Sequence, residues 1–308
     1  MGDSIYRTRS LGVSDQYADG KAAKVWEHYI GSRSERTEVY REWLVKLLRD
    51  RGCQRVLDVA CGTGIDSVML LKEGFKVMSC DLSDKMVMHA FRERWARRKE
   101  AAFDEWEIDV ANWLTLDGDI SKPGDGFDAI ICIGNSFAHL PDFDGTQSSH
   151  RRALRNFAKM LKPGGVMIID HRNYDAILDT GKAPEKNIYY HGSSIKDITT
   201  SVTYVDAKPA TITLDYFLDT SLAPEHNNNN NKVVQNGGSP PRHKDKDVEE
   251  DTIFRFQLTY YPHRLNSFTS LLYECFDNHI THTVYGDYKP KGEVETPAYY
   301  IHVVEKNL

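Results

Sequence analysis

The sequence predicts an α/β chain organised on a doubly wound, mostly parallel sheet, and three observations carry that prediction. An apolar run at residues 56–60 leads through Gly62 and Gly64 into a helical pattern at residues 65–73 (IDSVMLLKE). A second apolar stretch, residues 75–81, ends in a carboxylate, Asp81. Further apolar strands at residues 106–110, 127–134 and 166–170 then alternate with helical patterns, the rhythm of βαβ units.

The first turn says what kind of ligand this sheet would hold. Gly62 and Gly64 let the backbone approach a ligand where a Cβ would collide. The free N–H groups of the helix start point into the same space. A dinucleotide site wants a third glycine there, packing helix on strand around a pyrophosphate. Ser67 stands in that position, and Asp58 inside the strand would repel a pyrophosphate while suiting a ligand with a cationic head. Asp81, at the end of strand two, can accept both hydroxyls of a ribose. A ribose, a positive centre and no pyrophosphate describe S-adenosylmethionine. The plainer alternative is a glycine turn in an ordinary α/β sheet.

Composition narrows the class. A chain of 308 residues that is 40% hydrophobic can bury a large core. A net charge of −6 without a basic stripe argues against nucleic acid. No apolar run approaches the roughly 20 residues of a membrane span, and the first residues lack an apolar signal core, so a cytoplasmic location is expected. Gly2 opens a myristoylation-like pattern, but Tyr6 occupies its Ser/Thr position. The five cysteines, Cys53, Cys61, Cys80, Cys132 and Cys275, form no CxxC. They read as small core residues in a reducing compartment, with no metal site expected.

Taken in order, residues 1–18 read as a polar arm. Residues 21–30 place Ala22, Val25, Trp26 and Tyr29 on one helical face. A second helix is expected over 34–51, capped by Ser32, with a core stripe of Val39, Trp43, Leu44, Leu47 and Leu48. Tyr17, Tyr29 and Arg36 each bring a polar group close to an apolar face. In the helix after the glycine turn, Ile65, Val68 and Met69 face inward with Leu71 beside them. Ser83 caps the next helix, whose inward residues are Met86, Val87, Ala90, Phe91 and Trp95, with a basic, solvated outer side at 92–99.

Strand three is followed by Asn112 and Trp113, an amide and a ring suited to the edge and face of an adenine; the lesser alternative is that Trp113 is simply core. Strand four runs into Gly134, Asn135, Ser136 and His139. Ligands of open α/β sheets sit outside the carboxyl ends of the strands, which puts Asn135 and Ser136 at any reaction centre. His139, before Leu140 and Pro141, either faces that centre or ties down a loop. A helix over 151–161 stops at the LKPGG segment, and strand five ends in His171, Arg172, Asn173 and Tyr174.

Then the rhythm breaks. Alternating stretches at 200–205 and 211–216 suggest an antiparallel layer, a lid over the strand ends. Residues 224–251, with five consecutive asparagines at 227–231, read as a disordered insertion. Strand pattern resumes at 254–261, a helix follows at 268–276, and the last strand spans 298–304. The expected organisation is an N-terminal arm with helices (1–50), a ligand-binding core (51–171), a lid with its insertion (172–252) and C-terminal elements that complete the core (253–308).

The segments DVACGTGIDS, CDLSDKM, ANWLTL, CIGNSFAHLP, LKPGG and DHRNYD, with YRTRSLG near the start and LTYYPH late, closely resemble the glycine N-methyltransferase family. The resemblance covers nearly all of the chain except 222–252. The GxG and LKPGG elements indicate only the broad class I methyltransferase fold; DHRNYD, GNSFAHLP and the N-terminal segment are far more specific. It implies a Rossmann-like, seven-stranded methyltransferase sheet. It further implies that S-adenosylmethionine is held by residues at Tyr17, Trp26, Tyr29, Arg36, Ala60, Asp81, Asn112, Trp113, Ile133, Asn135, Ser136 and His139. Arg172 would grip the carboxylate of glycine, and Tyr174, Tyr190, Tyr216 and Tyr260 would line the pocket. The family is cytosolic and homotetrameric, with the arm entering a neighbouring subunit's site, and acts on methyl-donor levels. Mammalian members are restrained by a folate bound near the amino termini. Ser4 and Tyr6 match contacts there, but Ala210 and Gln257 stand where relatives carry histidine and arginine.

The residues fit the chemistry so implied. Methyl transfer from a sulfonium to an amine needs positioning rather than a nucleophilic side chain or a metal. A guanidinium fork can hold a small amino acid's carboxylate at two points, and oxygens near Gly134 and Asn135 can hold the amine. Three rivals remain open: methylation of sarcosine or dimethylglycine, a non-catalytic binder of methyl donor or folate, and a nicotinamide dehydrogenase, against which Ser67 and Asp58 speak.

Overall fold

The computed structural model describes residues 36–142, 144–184, 187–190, 195–219 and 253–308. The elements are α1 (Glu38–Asp50), β1 (Arg55–Asp58), α2 (Ile65–Lys72), β2 (Lys76–Asp81), α3 (Asp84–Ala96), β3 (Glu107–Val110), β4 (Phe127–Cys132), α4 (Ser148–Met160), β5 (Leu161–Arg172), α5 (Tyr174–Thr180), β6 (Ile195–Val205), β7 (Lys208–Asp219), β8 (Ile253–Tyr260), α6 (Leu265–Cys275), β9 (Ile280–Gly286), β10 (Lys289–Pro290) and β11 (Tyr299–Lys306). One-turn helices occur at Ala101–Asp104, Leu116–Asp119 and, as a 3₁₀ turn, Ser136–His139.

The main sheet has the order β10-β9-β11-β5-β4-β1-β2-β3. It comprises seven strands of four residues or more and the two-residue β10. Strands β1 to β5 are parallel and β11 joins β5 antiparallel. The apolar runs of β1 and β4 become the centre because both of their faces are covered. On one face α1, α2 and α3 pack over Val56, Val77, Ile131 and Ile168; on the other α4 and α6 pack over Leu57, Ile130, Met167 and Ile169. The chain reverses direction between β1 and β4, so the cleft outside their carboxyl ends is the topological switch point.

The antiparallel layer is the sheet β6-β7-β8. Ile212, Leu214 and Tyr216 on β7 share one face by the two-residue period. With Leu258 and Tyr260 of β8 they pack on Ala138, Tyr174 and Ile177, which follow β4 and β5. The sheet therefore sits over the strand ends, and the Tyr261 N–H donates to the Ala138 carbonyl at 2.7 Å.

Several faces differ from expectation. Helix α1 begins at Glu38 with Thr37 as its cap, and its core stripe is Tyr40, Leu44, Val45, Leu47 and Leu48; Val39 is 63% exposed, one residue off that stripe. In α2 the buried residues are Asp66, Ser67, Met69, Leu70 and Leu71, while Ile65 and Val68 are only half-buried. In α3, capped by Ser83 as expected, Met86, Val87 and Ala90 are buried. Phe91 and Trp95 are exposed, the Trp95 ring lying 4.4 Å beneath the Arg98 guanidinium, so the helix is too polar beyond Ala90 to reach the core. All five cysteines are free and buried. Among the described residues no helix is long and apolar enough to cross a membrane, and no cluster of His, Cys, Asp or Glu could hold a metal ion. The expected arm, the helix at 21–30 and the insertion at 224–251 lie outside the described residues.

Candidate active site

The turn after β1 is tied to the end of β2. Both oxygens of Asp81 accept backbone N–H groups at 2.9 Å, Oδ2 from Gly62 and Oδ1 from Ser83. Gly62 and Gly64 both have positive φ, +54° and +92°, but their surroundings differ. Among the described residues, a Cβ on Gly62 would meet no atom within 4 Å, which leaves space beside that residue. A Cβ on Gly64 would lie 2.9 Å from Trp106 Cη2 and 3.0 Å from the Ala90 Cβ. Gly62 thus leaves room for a ligand, whereas Gly64 is required by the protein's own packing.

Asp58 does not face the open side of the turn. It is 3% exposed, and its Oδ2 accepts from the Ser67 hydroxyl at 2.7 Å. Ser67 in turn accepts from Ser79, and Ser79 from the indole N–H of Trp106, each at 2.7 Å. Burial pushes the Asp58 carboxyl up to about 7. The residue in place of the third glycine therefore joins α2 to the sheet through a hydroxyl, and Asp58 holds that joint rather than meeting a cationic ligand.

Arg36 reaches the same region from the segment before α1. It makes a two-point pair with Asp66 at the start of α2, and its Cζ stands 4.3 Å from the centre of the Tyr190 ring. Its remaining nitrogen, Nη1, is buried without a hydrogen-bond partner among the described residues. Asn112 uses its Oδ1 to accept from Leu114 N at 2.9 Å, which leaves the amide NH2 to read a base edge. Trp113 is partly buried: its indole donates to the Val59 carbonyl at 2.6 Å and its ring stacks on Phe137. Only its outer edge can meet a ligand. Among the described residues, the space at Gly62, the Asn112 amide NH2 and the unpartnered Arg36 nitrogen fit a nucleoside with a charged amino-acid tail.

Beyond β4, Gly134 and Asn135 are both left-handed, with φ +84° and +66°. Asparagine tolerates that region better than most residues. The turn is held from below by Asp170, fully buried, whose Oδ1 accepts from Asn135 N at 2.8 Å and whose Oδ2 accepts from the Tyr189 hydroxyl. Burial raises the Asp170 carboxyl to about 6 against the pull of these hydrogen bonds. The Asn135 side chain accepts from Arg172 N at 3.0 Å, and the Tyr174 hydroxyl stands 2.9 Å from its Nδ2 and 3.1 Å from its Oδ1.

Arg172, the last residue of β5, is 5% exposed. Its Nη2 donates to the Tyr216 hydroxyl at 3.3 Å, which neighbours the Tyr260 hydroxyl at 3.4 Å, and its Cζ lies 5.0 Å from the Tyr299 ring. Gly134, Asn135 and Arg172 line a cavity with Tyr189, Tyr190, Tyr216, Tyr260, Tyr299 and Asn187. The cavity is narrow and walled mainly by tyrosines, with room for only a small molecule.

The structure brings together most of the residues expected at the acceptor. Tyr174 is fully buried with its hydroxyl on Asn135 and is not among the residues that line the cavity. Ser136 donates its hydroxyl to the Ile133 carbonyl at 2.8 Å, closing the turn after β4. Ile133 is buried and Ala60 half-buried. His139 packs 4.6 Å from the Tyr260 ring, and burial lowers its imidazole to about 4. Tyr17, Trp26 and Tyr29 lie outside the described residues. Sequence reasoning missed Tyr189, Asn187, Tyr299 and the Asp170 support. The adjacency of Tyr189 to Tyr190 was the one available signal for the first.

Comparison with known proteins bears on this cavity. A family model described as a methyltransferase domain matches residues 57–167. The glycine N-methyltransferase of Rattus norvegicus is 54% identical over 314 residues, covering 99% of each chain, and that of Homo sapiens is 52% identical over 315 residues with the same coverage. A glycine/sarcosine N-methyltransferase of Aphanothece halophytica is 30% identical over 95% of this chain and 91% of its own. Among solved structures, an S-adenosylmethionine-dependent methyltransferase from Clostridium acetobutylicum superposes with a TM-score of 0.61 at 14% identity, over 94% of this chain and 99% of its own. The CcbJ methyltransferase of Streptomyces caelestis gives 0.59 at 12% identity, over 93% of this chain and 96% of its own. These two show a shared fold.

Proposed function

The chain belongs to the family of glycine N-methyltransferases, and from that premise we propose that it transfers the methyl group of S-adenosylmethionine to the amine of glycine, giving sarcosine and S-adenosylhomocysteine. The observation that carries the acceptor side is Arg172, a buried guanidinium in a small tyrosine-walled cavity at the ends of β4 and β5. It takes the glycine carboxylate at two points, which a planar fork does better than a point charge. Gly134 and Asn135 hold the amine, and the hydroxyls of Tyr190, Tyr216 and Tyr260 close the wall. Tyr174 acts from behind by holding Asn135.

The donor supplies an electrophilic methyl group on a sulfonium. Asp81 accepts its ribose hydroxyls, the Asn112 amide and the edge of Trp113 meet its adenine, and Arg36 Nη1 meets its carboxylate. Ala60, Ile133, Ser136 and His139 line the groove between, and Tyr17, Trp26 and Tyr29 come from the N-terminal segment. No side chain is needed as general base, because glycine can lose its proton to water and arrive as the free amine; positioning is most of the catalysis.

Incubation with S-adenosylmethionine and glycine near pH 8 is expected to yield sarcosine and S-adenosylhomocysteine by mass spectrometry. Donor binding without sarcosine would sink the reading. The same experiment registers dimethylglycine, the product expected if sarcosine is also an acceptor, as it is by name for the glycine/sarcosine N-methyltransferase of Aphanothece halophytica.

The protein is further read as a cytoplasmic homotetramer with residues 1–18 exchanged between subunits; a monomer by light scattering would refute the assembly, and a membrane or organelle fraction the location. Folate is read as a weak regulator at most. Gln257 donates to Asp215 at 3.0 Å and brings no positive charge, and Ala210 brings no ring. Strong inhibition by a reduced folate would overturn this.

A further inference from the structure

Behind the cavity, on the opposite side of β5 from Arg172, three histidines are joined end to end. His282 Nε2 lies 2.9 Å from His302 Nδ1, His302 Nε2 lies 3.1 Å from His171 Nε2, and His171 Nδ1 lies 2.7 Å from the Arg172 carbonyl oxygen. The rings of His282 and His302 are parallel to within 4°. His171 and His302 are fully buried and pack against Phe268 at 5.0 Å each.

The end of this chain dictates its protons. A carbonyl oxygen only accepts, so His171 Nδ1 carries a hydrogen. A neutral imidazole then has only a lone pair at Nε2, so His302 must donate from Nε2 and accept at Nδ1. His282 must in turn donate from Nε2. Three bonds are satisfied by one arrangement of three neutral rings, and reversing any ring sets two lone pairs or two hydrogens against each other. The Nδ1–H form of His171 is thus held from both ends, by the Arg172 carbonyl it donates to and by the hydrogen it accepts from His302.

The Arg172 carbonyl belongs to the residue whose N–H is held by Asn135 at 3.0 Å. Beyond it, Asn173 N donates to the Ala298 carbonyl and the Asn173 side chain caps α5. Arg172 thus has its amide fixed by the residue at the amine end of the cavity and its carbonyl fixed by the histidine chain. We propose that His171 and His302 are positioning residues for the acceptor: the chain of imidazoles beginning at His282 orients the Arg172 peptide and so aims the guanidinium at the substrate carboxylate. This rests on the reading of Arg172 as the glycine clamp.

Two measurements on the full chain test it. Ring-¹⁵N-histidine NMR is expected to show His171 protonated at Nδ1 and His302 and His282 at Nε2; His171 protonated at Nε2 would overturn the proposal. In kinetics, His302→Leu cuts the chain while keeping an apolar side chain. It is expected to raise the glycine KM about 5- to 20-fold, the scale of one lost oriented hydrogen bond, with kcat and donor affinity within about twofold. His302→Gln retains a donor toward His171 Nε2 and should restore the KM to within about threefold of wild type. Equal losses for glycine and donor, or no change in KM, would overturn the proposal. If His302→Leu fails to fold, His282→Leu at the partly exposed end serves instead, with loss of the single His302 tautomer as the expected signature and its retention as the contrary one. Absence of sarcosine from the wild-type protein would remove the glycine reading itself, and the NMR tautomers would then decide the chain alone.

Discussion

Replacing the two turn glycines one at a time separates fold from ligand. Gly64→Ala forces an L-residue into φ +92°, which costs roughly 1–2 kcal/mol. Its methyl would also sit 2.9 Å from Trp106 Cη2. That ring cannot easily retreat: it is fully buried, its indole is bonded to Ser79, and its edge meets Phe103. Overpacking of this kind costs roughly 1–3 kcal/mol, and a stiffer unfolded chain returns a fraction of it. The expected loss is about 2–4 kcal/mol, or a Tm lower by roughly 4–12 °C for a chain of this size. Gly62→Ala carries a similar φ cost but meets nothing within 4 Å among the described residues. It should lose about 1 kcal/mol of stability yet weaken S-adenosylmethionine by at least about tenfold, since its methyl occupies the ligand's space. Thermal melts and calorimetric donor titrations of both variants provide the assay. A Gly62→Ala protein less stable than Gly64→Ala, or a Gly62→Ala protein with intact donor affinity, would refute the reasoning.

Other perturbations probe the acceptor and the buried charges. Arg172→Lys should raise the glycine KM by about tenfold or more while leaving donor affinity near wild type, because a point charge cannot reproduce the fork; equal losses for both, read by initial rates and titration, would contradict the role. Asn135→Ala should cost roughly 2–4 kcal/mol in urea unfolding, since it strains φ +66° and leaves Arg172 N and Tyr174 without their partner; a stability within 1 kcal/mol of wild type would contradict it. Acid should destabilise the fold well above the carboxylate range. Burial lowers His139, His150 and His171 to about 4, and His263 and His302 further, against an unfolded value of about 6.5. As pH falls from about 6.5 toward 4 the unfolded chain takes protons that the folded chain refuses, and each such group removes up to about 1.4 kcal/mol per pH unit. Asp58 and Asp170, held at about 7 and about 6, work in the opposite sense, since the folded chain binds their protons first as pH falls. His282 is lowered in the same sense and Asp142 raised; with six histidines against three carboxylates the urea midpoint should drop between pH 7 and pH 5, and a rise would show that the carboxylates dominate.

How much of this could be read in advance follows from where each signal resides. Strands β1, β2 and β4 were legible because a strand buried on both faces is written as an unbroken apolar run. Strand β9 was not, since it carries alternating Thr, His and Tyr and is half-exposed. Helix faces failed where boundaries did: α1 begins later than its polar flank suggested, and Val39 fell outside the stripe. The positions of Asp81 and Arg172 at strand ends were legible from the apolar runs that precede them. The reorientation of Asp58 toward Ser67 was not, because a carboxylate beside a glycine turn looks the same whether it faces ligand or core. The histidine chain joins residues 171, 282 and 302, and no local pattern marks partners that only the order of β5, β11 and β9 brings together.

The pairing of Asn135 with Arg172 has a consequence for what the enzyme can accept. The group assigned to the amine and the group assigned to the carboxylate are joined through one 3.0 Å hydrogen bond between neighbouring strand ends, so the two cannot be spread apart independently. On the proposed reading of the site, the linkage is expected to act as a ruler for an amine one carbon away from its carboxylate. An amino acid with one more methylene, such as β-alanine, would place its nitrogen about 1 Å or more out of line, a displacement large enough to lose roughly a hundredfold in rate. Selectivity of this kind resides in a spacing rather than in a steric gate, and widening the tyrosine wall alone would not relax it.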